Sequence, residues 1–206
     1  MAEGLERLRC CVAAFTRLVE AAAPEPHLAE PHLIEAGTAL LADLVAVDDW
    51  LPDAYAAPHP RYYQQYLLHC DALERFSIVS FVWGPGQSTP IHDHCVWGLI
   101  GMLRGAELSH GWDPATGRQT GTTRLEPGMV AAVSPRIGDV HWVENAYADR
   151  VSVSVHVYGA NIGAVARHIY RETGETAPFV SGYGNAALPN LWDRSAAVRA
   201  ALGGNA

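Results

Sequence analysis

From Val151 to Tyr158 the chain alternates without a break. Val151, Val153, Val155 and Val157 fall at one parity, and Ser152, Ser154, His156 and Tyr158 at the other. A period of two marks a β-strand, whose successive side chains point to opposite faces. The valine face has to be buried against a core. The other face carries hydroxyls, an imidazole and a phenol, which suit either water along an edge strand or the lumen of a closed barrel. Inside a lumen, Ser154, His156 and Tyr158 can hydrogen-bond in series and fix the position of the phenolic proton.

A second segment, Gly86 to Gly105, is rich in Ile, Val, Leu and Trp and contains His92 and His94. Two residues apart on a strand, both imidazoles point to one face. A lone histidine on an apolar strand is usually satisfied by hydrogen bonds. An inward-facing pair is harder to satisfy, and imidazole is a common metal ligand. Two imidazoles seldom hold a metal alone. A third candidate, His141, lies in the strand-like stretch Ser134–Asn145 after a Pro/Gly turn. The other histidines, His27, His32, His59, His69, His110 and His168, lack a partner at ligand spacing and read as surface or loop residues.

These two segments resemble the paired motifs of the cupin barrels. The first motif, with its glycine, His-x-His pair and closing glycine, fits Gly86, His92, His94 and Gly105; Gly98 stands where the pattern has a glutamate. In the second, Gly128, Pro135, Gly138, His141 and Asn145 match in order, with two of the intervals one residue longer. The resemblance implies a mostly β fold, a cupin (jelly-roll) barrel, with His92, His94 and His141 as metal ligands. Without the glutamate, the three ligands are neutral, so a divalent ion keeps its full charge and demands an anionic ligand from elsewhere. A substrate thiolate fills that need, since coordination deprotonates a thiol. Iron suits such a centre, although zinc and manganese also accept imidazole.

From about Arg61 to Asp193 the chain is similar to the thiol dioxygenases, cupins that oxidise a small thiol to its sulfinate with O2 on a mononuclear Fe(2+). Their Ser-x-His-x-Tyr triad matches Ser154, His156 and Tyr158. Mammalian-type cysteine dioxygenases carry a cysteine cross-linked to the triad tyrosine, and here that position is Gly98; Cys95 is a substitute only if its loop turns inward. The cysteine-selective members hold the substrate carboxylate with an arginine where this chain has Gln65, and an amide cannot supply guanidinium's charged fork. The resemblance to bacterial relatives that prefer 3-mercaptopropionate points to Arg167, with Tyr158, as the carboxylate partner. A surface charge on the Arg167–Tyr170 strand is the other reading of Arg167. L-cysteine as main substrate, or a non-redox cupin (an isomerase or ligand-binding regulator holding zinc or nickel), are the rival functions.

Elsewhere the sequence reads as helices first and barrel second. Leu5, Leu8, Val12, Phe15 and Val19 recur at helical spacing up to Pro24 and Pro26, and Leu33, Leu40, Leu41 and Leu44 mark a second helix. A short helix is predicted over Arg61–Leu68, and strands over Phe76–Trp83, Ile91–Leu103, Ala106–Trp112, Thr122–Leu125, Met129–Val133, Val140–Glu144 and Arg150–Tyr158. A further hairpin follows over Ala164–Tyr170 and Pro178–Tyr183, turning at Glu172–Glu175, and a last helix near Leu191–Leu202. One domain is expected over 1–206, helical over about 1–70 and barrel over about 76–185. Trp97, Trp112 and Trp142 are expected to pack the barrel, with a role in shaping the thiol pocket as the alternative.

A net charge of −8 argues against nucleic acid or an anionic membrane as partner. Cys10, Cys11, Cys70 and Cys95 show no Cys-x-x-Cys pair, and Met1–Glu6 is acidic where a secretory signal is basic; both fit a reducing cytoplasmic setting. The expected partners are a small thiol and O2, and the oligomeric state stays open.

Overall fold

The structure, a computed structural model, describes residues 2–23, 26–171, 173–185 and 195–203. Two helices, α1 (Ala2–Ala22) and α2 (Pro26–Val45), precede eleven strands. The strands are β1 (Gln64–Cys70), β2 (Ser77–Trp83), β3 (Ile91–His92), β4 (Gly98–Arg104), β5 (Glu107–Asp113), β6 (Arg118–Leu125), β7 (Val130–Val133), β8 (His141–Asn145), β9 (Ser152–Tyr158), β10 (Arg167–Tyr170) and β11 (Thr176–Phe179). A short helix, α3 (Ser195–Ala201), follows. Part of the last predicted helix, the span 191–194, lies outside the described residues, as do Pro24 and Glu172.

The strands form two antiparallel sheets, ordered β1-β2-β9-β4-β7 and β11-β10-β3-β8-β5-β6. This is the mostly β, cupin-type jelly roll that the motifs imply. β9 sits third of five strands, between β2 and β4, so it is no edge strand. All seven of its residues are buried. Val153, Val155 and Val157 pack with Phe15, Leu41, Ile78 and Leu99 in one apolar cluster, which places α1 and α2 across the back of this sheet. Helix α2 lies so close to β4 that a Cβ on Gly101 would come within 2.8 Å of Leu41 Cγ. The even-numbered residues of β9 face the lumen. Because both faces of β2 are covered as well, it is buried throughout and mostly apolar, interrupted by Ser77 and Ser80, rather than alternating.

Two sequence expectations fail. Residues 61–68 do not form a helix: Gln64–Cys70 is an edge strand paired with β2, and Gln65 and Leu67 are its inward-facing residues. Pairing with an almost wholly apolar neighbour outweighs the weak local helix preference of this short polar stretch. The sheet therefore begins at 64, inside the span expected to be helical. The strand predicted over Ile91–Leu103 is also broken. β3 stops at His92, residues 93–97 form a loop in which Cys95 adopts a left-handed φ of 60°, and β4 starts at Gly98.

Trp112 and Trp142 pack edge to face at 6.2 Å, and Trp142 stacks on His110 at 4.4 Å. In the β5–β8 register His110 opposes Trp142, at the parity opposite His141, so this pair covers the outside of the sheet, whereas Trp112, beyond a register shift, borders a cleft with Ser109, Asp139 and His141. His110 accordingly is a half-buried strand residue rather than a loop residue. The reading of His27 falls on a side chain outside the described ones. No disulfide joins the four cysteines, and no helix among the described residues is long and apolar enough to cross a membrane.

Candidate metal centre

His92, His94 and His141 are all buried, and one ligating atom from each lies within 4.8 Å of the others. Their ring centroids are 4.9–5.0 Å apart. The structure thus brings together the three expected residues, by a different route from strand alternation. His92 and His141 face each other directly across the β3–β8 pair. His94 comes from the loop, and Asp139 holds it there: the carboxylate accepts the backbone N–H groups of His94 and Cys95, each at 3.0 Å, and the His94 Nδ1–H at 2.8 Å.

Each of the other two rings has its Nδ1 engaged too. His92 Nδ1 donates to the Pro90 carbonyl at 3.0 Å, and His141 Nδ1 meets Ser109 Oγ at 2.9 Å. With every Nδ1 engaged, the three Nε2 lone pairs are left for the interior, the arrangement that orients imidazole toward a metal. Burial holds all three pKa values down, that of His141 to about 4, so the rings are neutral at pH 7. Three neutral nitrogens in one compact group fit a divalent first-row transition ion.

Behind this group, Ser154 Oγ lies 2.8 Å from His156 Nε2, and His156 Nδ1 lies 2.8 Å from Tyr158 Oη. The Tyr158 ring stacks on His94 at 5.4 Å, and the His156 ring stacks on Phe81 at 4.1 Å. Trp83 donates its indole N–H to Ser154 Oγ at 3.1 Å. Burial lowers the His156 pKa and raises that of Tyr158, so both are neutral.

Arg167 is not a surface charge. It is 3% exposed, donates from Nη2 to Ser181 Oγ at 2.7 Å, and lies over the Phe179 ring at 4.6 Å; its Nε has no hydrogen-bond partner. Phe179 in turn meets His92 edge to face at 6.3 Å. The guanidinium charge reaches His92, His94 and Tyr158, in each case disfavouring positive or favouring negative charge. Gln65 points to the same hydroxyl from β1: its amide donates to Ser181 Oγ at 3.1 Å and to the Gly182 carbonyl at 2.9 Å. A cleft of about 540 Å³ is lined by Tyr63, Gln65, Phe179 and Ser181.

His168 does have partners at ligand spacing, in contrast to the sequence reading, since it groups with Asp93 and Cys95. This cluster is satisfied by its own bonds. Asp93 accepts from His168 Nδ1 at 2.8 Å and from Tyr170 Oη at 2.9 Å, which fastens the 93–97 loop to β10. Burial and the adjacent Asp93 push the Cys95 thiol up to about 11, and its side chain is exposed. The residues that sequence reasoning missed are Asp139, Ser109, Ser181 and Glu107. Of these, Asp139 alone had a signal, lying inside the second motif.

No family model matches the chain. Among solved structures, it is similar to an uncharacterized conserved protein with a double-stranded β-helix domain from Klebsiella pneumoniae subsp. pneumoniae MGH 78578, with 20% identity, a TM-score of 0.44, and 52% of this chain and 80% of that one covered. It is also similar to a cupin superfamily protein from Desulfitobacterium hafniense DCB-2 (16% identity, TM-score 0.42, 55% and 93% covered) and to an oxalate oxidase in complex with glycolate (14%, 0.42, 55% and 61%).

Proposed function

We propose that this chain is a mononuclear non-haem iron thiol dioxygenase acting on a small thiol carboxylate, with 3-mercaptopropionate as the best fit. The observation that carries the reading is the pairing of three neutral imidazoles, with no carboxylate among them, and a buried arginine whose Nε is free to take an anion. A substrate with a thiolate at one end and a carboxylate at the other answers both charges. The overall change, RSH + O2 → RSO2⁻ + H⁺, moves four electrons from sulfur to dioxygen. A bound iron supplies that oxidising chemistry and acidifies the thiol.

The chain's own residues bind, orient and shield. Arg167 takes the carboxylate from Nε while Ser181 fixes its other end. Gln65, the other substrate-binding position, lines the cleft and donates its amide to the same Ser181 hydroxyl. Tyr158, positioned by His156 and Ser154, hydrogen-bonds the carboxylate or the reacting oxygen. Asp93 and Asp139, the carboxylates beside the three histidines, are already engaged and so do not answer an α-ammonium group. That disfavours L-cysteine. A reducing cytoplasm suits such an enzyme, and the helices and barrel act as one unit because they share a core.

Metal analysis of purified protein, combined with O2 uptake in the presence of 3-mercaptopropionate, L-cysteine and cysteamine, tests the reading. Iron with stoichiometric O2 consumption and sulfinate formation is the expected result. Zinc or nickel, with no thiol-dependent O2 uptake after iron loading, overturns it in favour of a non-redox role.

A further inference from the structure

The lumen holds a buried carboxyl that the reaction described above does not use. Glu107, on β5, is 1% exposed, and its Oε2 has no hydrogen-bond partner. An unpartnered buried carboxyl oxygen is costly, so its neighbours matter. The Ser154 hydroxyl is the group that favours its ionised form, and it is the same hydroxyl that begins the Ser154–His156–Tyr158 series. Glu107 also borders a cavity of about 130 Å³ shared with Ser109, Thr123 and His141, with polar groups and room for several water molecules. Ser109, Thr123 and His141 border a second, open cleft of about 650 Å³ as well.

The titratable groups around Glu107 are Tyr158 and His156 from β9, both neutral, and His141 from β8 at the cavity wall. β2 contributes the Trp83 indole, and β4, β6 and β7 contribute Ile100, Leu125 and Ala131, none of them charged.

We propose that the protonation state of Glu107 sets the direction of the whole hydrogen-bond series and thereby the direction of the Tyr158 hydroxyl. The donor inventory fixes the two patterns. Trp83 Nε1–H donates to Ser154 in both, because an indole only donates. With Glu107 ionised, Ser154 donates to the carboxylate, His156 Nε2–H donates to Ser154, and Tyr158 donates to His156 Nδ1. The phenolic hydrogen then points away from the three-histidine group. With Glu107 protonated, its O–H donates to Ser154, Ser154 donates to His156 Nε2, and His156 Nδ1–H donates to Tyr158 Oη. The phenolic hydrogen is then released toward the lumen. Passage from the first pattern to the second takes up one proton: the Ser154 hydrogen passes to Glu107, the His156 Nε2 hydrogen to Ser154 and the Tyr158 hydrogen to His156 Nδ1, while Tyr158 Oη takes a new proton from the lumen, and no electrons move. Burial raises the Glu107 pKa to about 7, so both patterns are populated near neutrality.

The inference concerns the site proposed for thiol oxidation and rests on that reading only for its effect on turnover. Its test reads the His156 tautomer by 15N NMR in the full, metal-free chain, so that its failure is distinct from a failure of the enzymatic reading. The His156 signals are assigned by their loss in His156→Gln. Across about pH 5.5–8.5 the wild type should pass from an Nδ1–H to an Nε2–H tautomer. Glu107→Gln, whose amide can donate to Ser154, should hold the Nδ1–H form throughout. In the iron-loaded enzyme the same substitution should remove the pH dependence of kcat over this range while leaving metal content unchanged. A tautomer in wild type that does not change over the range overturns the proposal without any variant. So does a change that persists undiminished in folded Glu107→Gln.

Discussion

Gly98 and Tyr158 face each other across the β4–β9 pair, and a Cβ on Gly98 would lie 2.8 Å from Tyr158 Cδ1 and 2.9 Å from Cε1. The absence of a side chain at 98 is what lets the Tyr158 ring lie against β4 and stack on His94. Gly98→Ala should therefore displace the ring and destabilise the protein by about 1–3 kcal/mol, the usual cost of overpacking, measurable by denaturant unfolding. The wild-type intact mass should equal that of the sequence, with no loss of two hydrogens to a Cys–Tyr bond. A digest peptide joining Cys95 to Tyr158 would contradict this.

Each of His92→Ala, His94→Ala and His141→Ala should lose most bound metal, because the group that gathers the ligating atoms contains these three side chains and no fourth. Asp139→Asn should be milder, lowering metal affinity by about 10–100-fold, since it misorients His94 without removing it. Metal content after dialysis against a chelator ranks the four variants. Near-stoichiometric metal in His141→Ala would remove that residue from the set.

Tyr158→Phe removes one hydroxyl and no metal ligand. It should keep its metal and turn over about 10–100-fold more slowly, and His156→Ala should behave alike by freeing Tyr158. Wild-type rates in both would assign the series a purely structural role.

The three converging histidines, the Ser154–His156–Tyr158 series and the barrel could be read from the sequence because each depends on local spacing: a period of two over Val151–Tyr158, and two short motifs around His92 and His141. The convergence of His92 and His94 was read correctly for the wrong reason. Strand alternation predicts it, whereas a carboxylate 45 residues away, Asp139, places His94. Gln65 and Arg167 illustrate the limit. Their meeting on Ser181 links β1, β10 and the segment after β11, contacts 116 and 14 residues apart that no periodicity encodes. The burial of Arg167 was likewise hidden, because a charged residue on a short strand has no sequence mark of which side it faces. β1 was misread as helix because its strand character comes from its partner β2 and not from its own residues.

Substrate choice tests the Arg167 assignment. kcat/KM for 3-mercaptopropionate should exceed that for L-cysteine by at least about tenfold, roughly 1.4 kcal/mol in transition-state binding. The ammonium of cysteine would have to be desolvated near two positive charges, Arg167 and a divalent ion. Arg167→Met should impair use of 3-mercaptopropionate more than use of cysteamine, which has no carboxylate. Equal losses on both thiols would show that Arg167 holds the fold together and not the substrate.

The buried carboxyl of Glu107 has a consequence for stability as a function of pH. Burial raises its folded pKa from 4.5 to about 7. A carboxyl raised on folding contributes stability that is fully present below the unfolded pKa and is lost as pH rises through the folded one. The loss at pH above about 8 is on the order of 3 kcal/mol, at 1.36 kcal/mol per pKa unit. The buried histidines act in the opposite sense. His92, His94, His141 and His156 have lowered pKa values, so their contribution falls as pH drops below the ordinary histidine range. The wild-type profile is therefore the sum of two opposed slopes that overlap between about pH 5 and 7, and Glu107 is isolated only by difference. Unfolding free energies of metal-free wild type and Glu107→Gln should diverge progressively between pH 5 and 8, with the variant gaining on the wild type as pH rises. A constant offset between the two curves over that range would show that Glu107 does not change its protonation there.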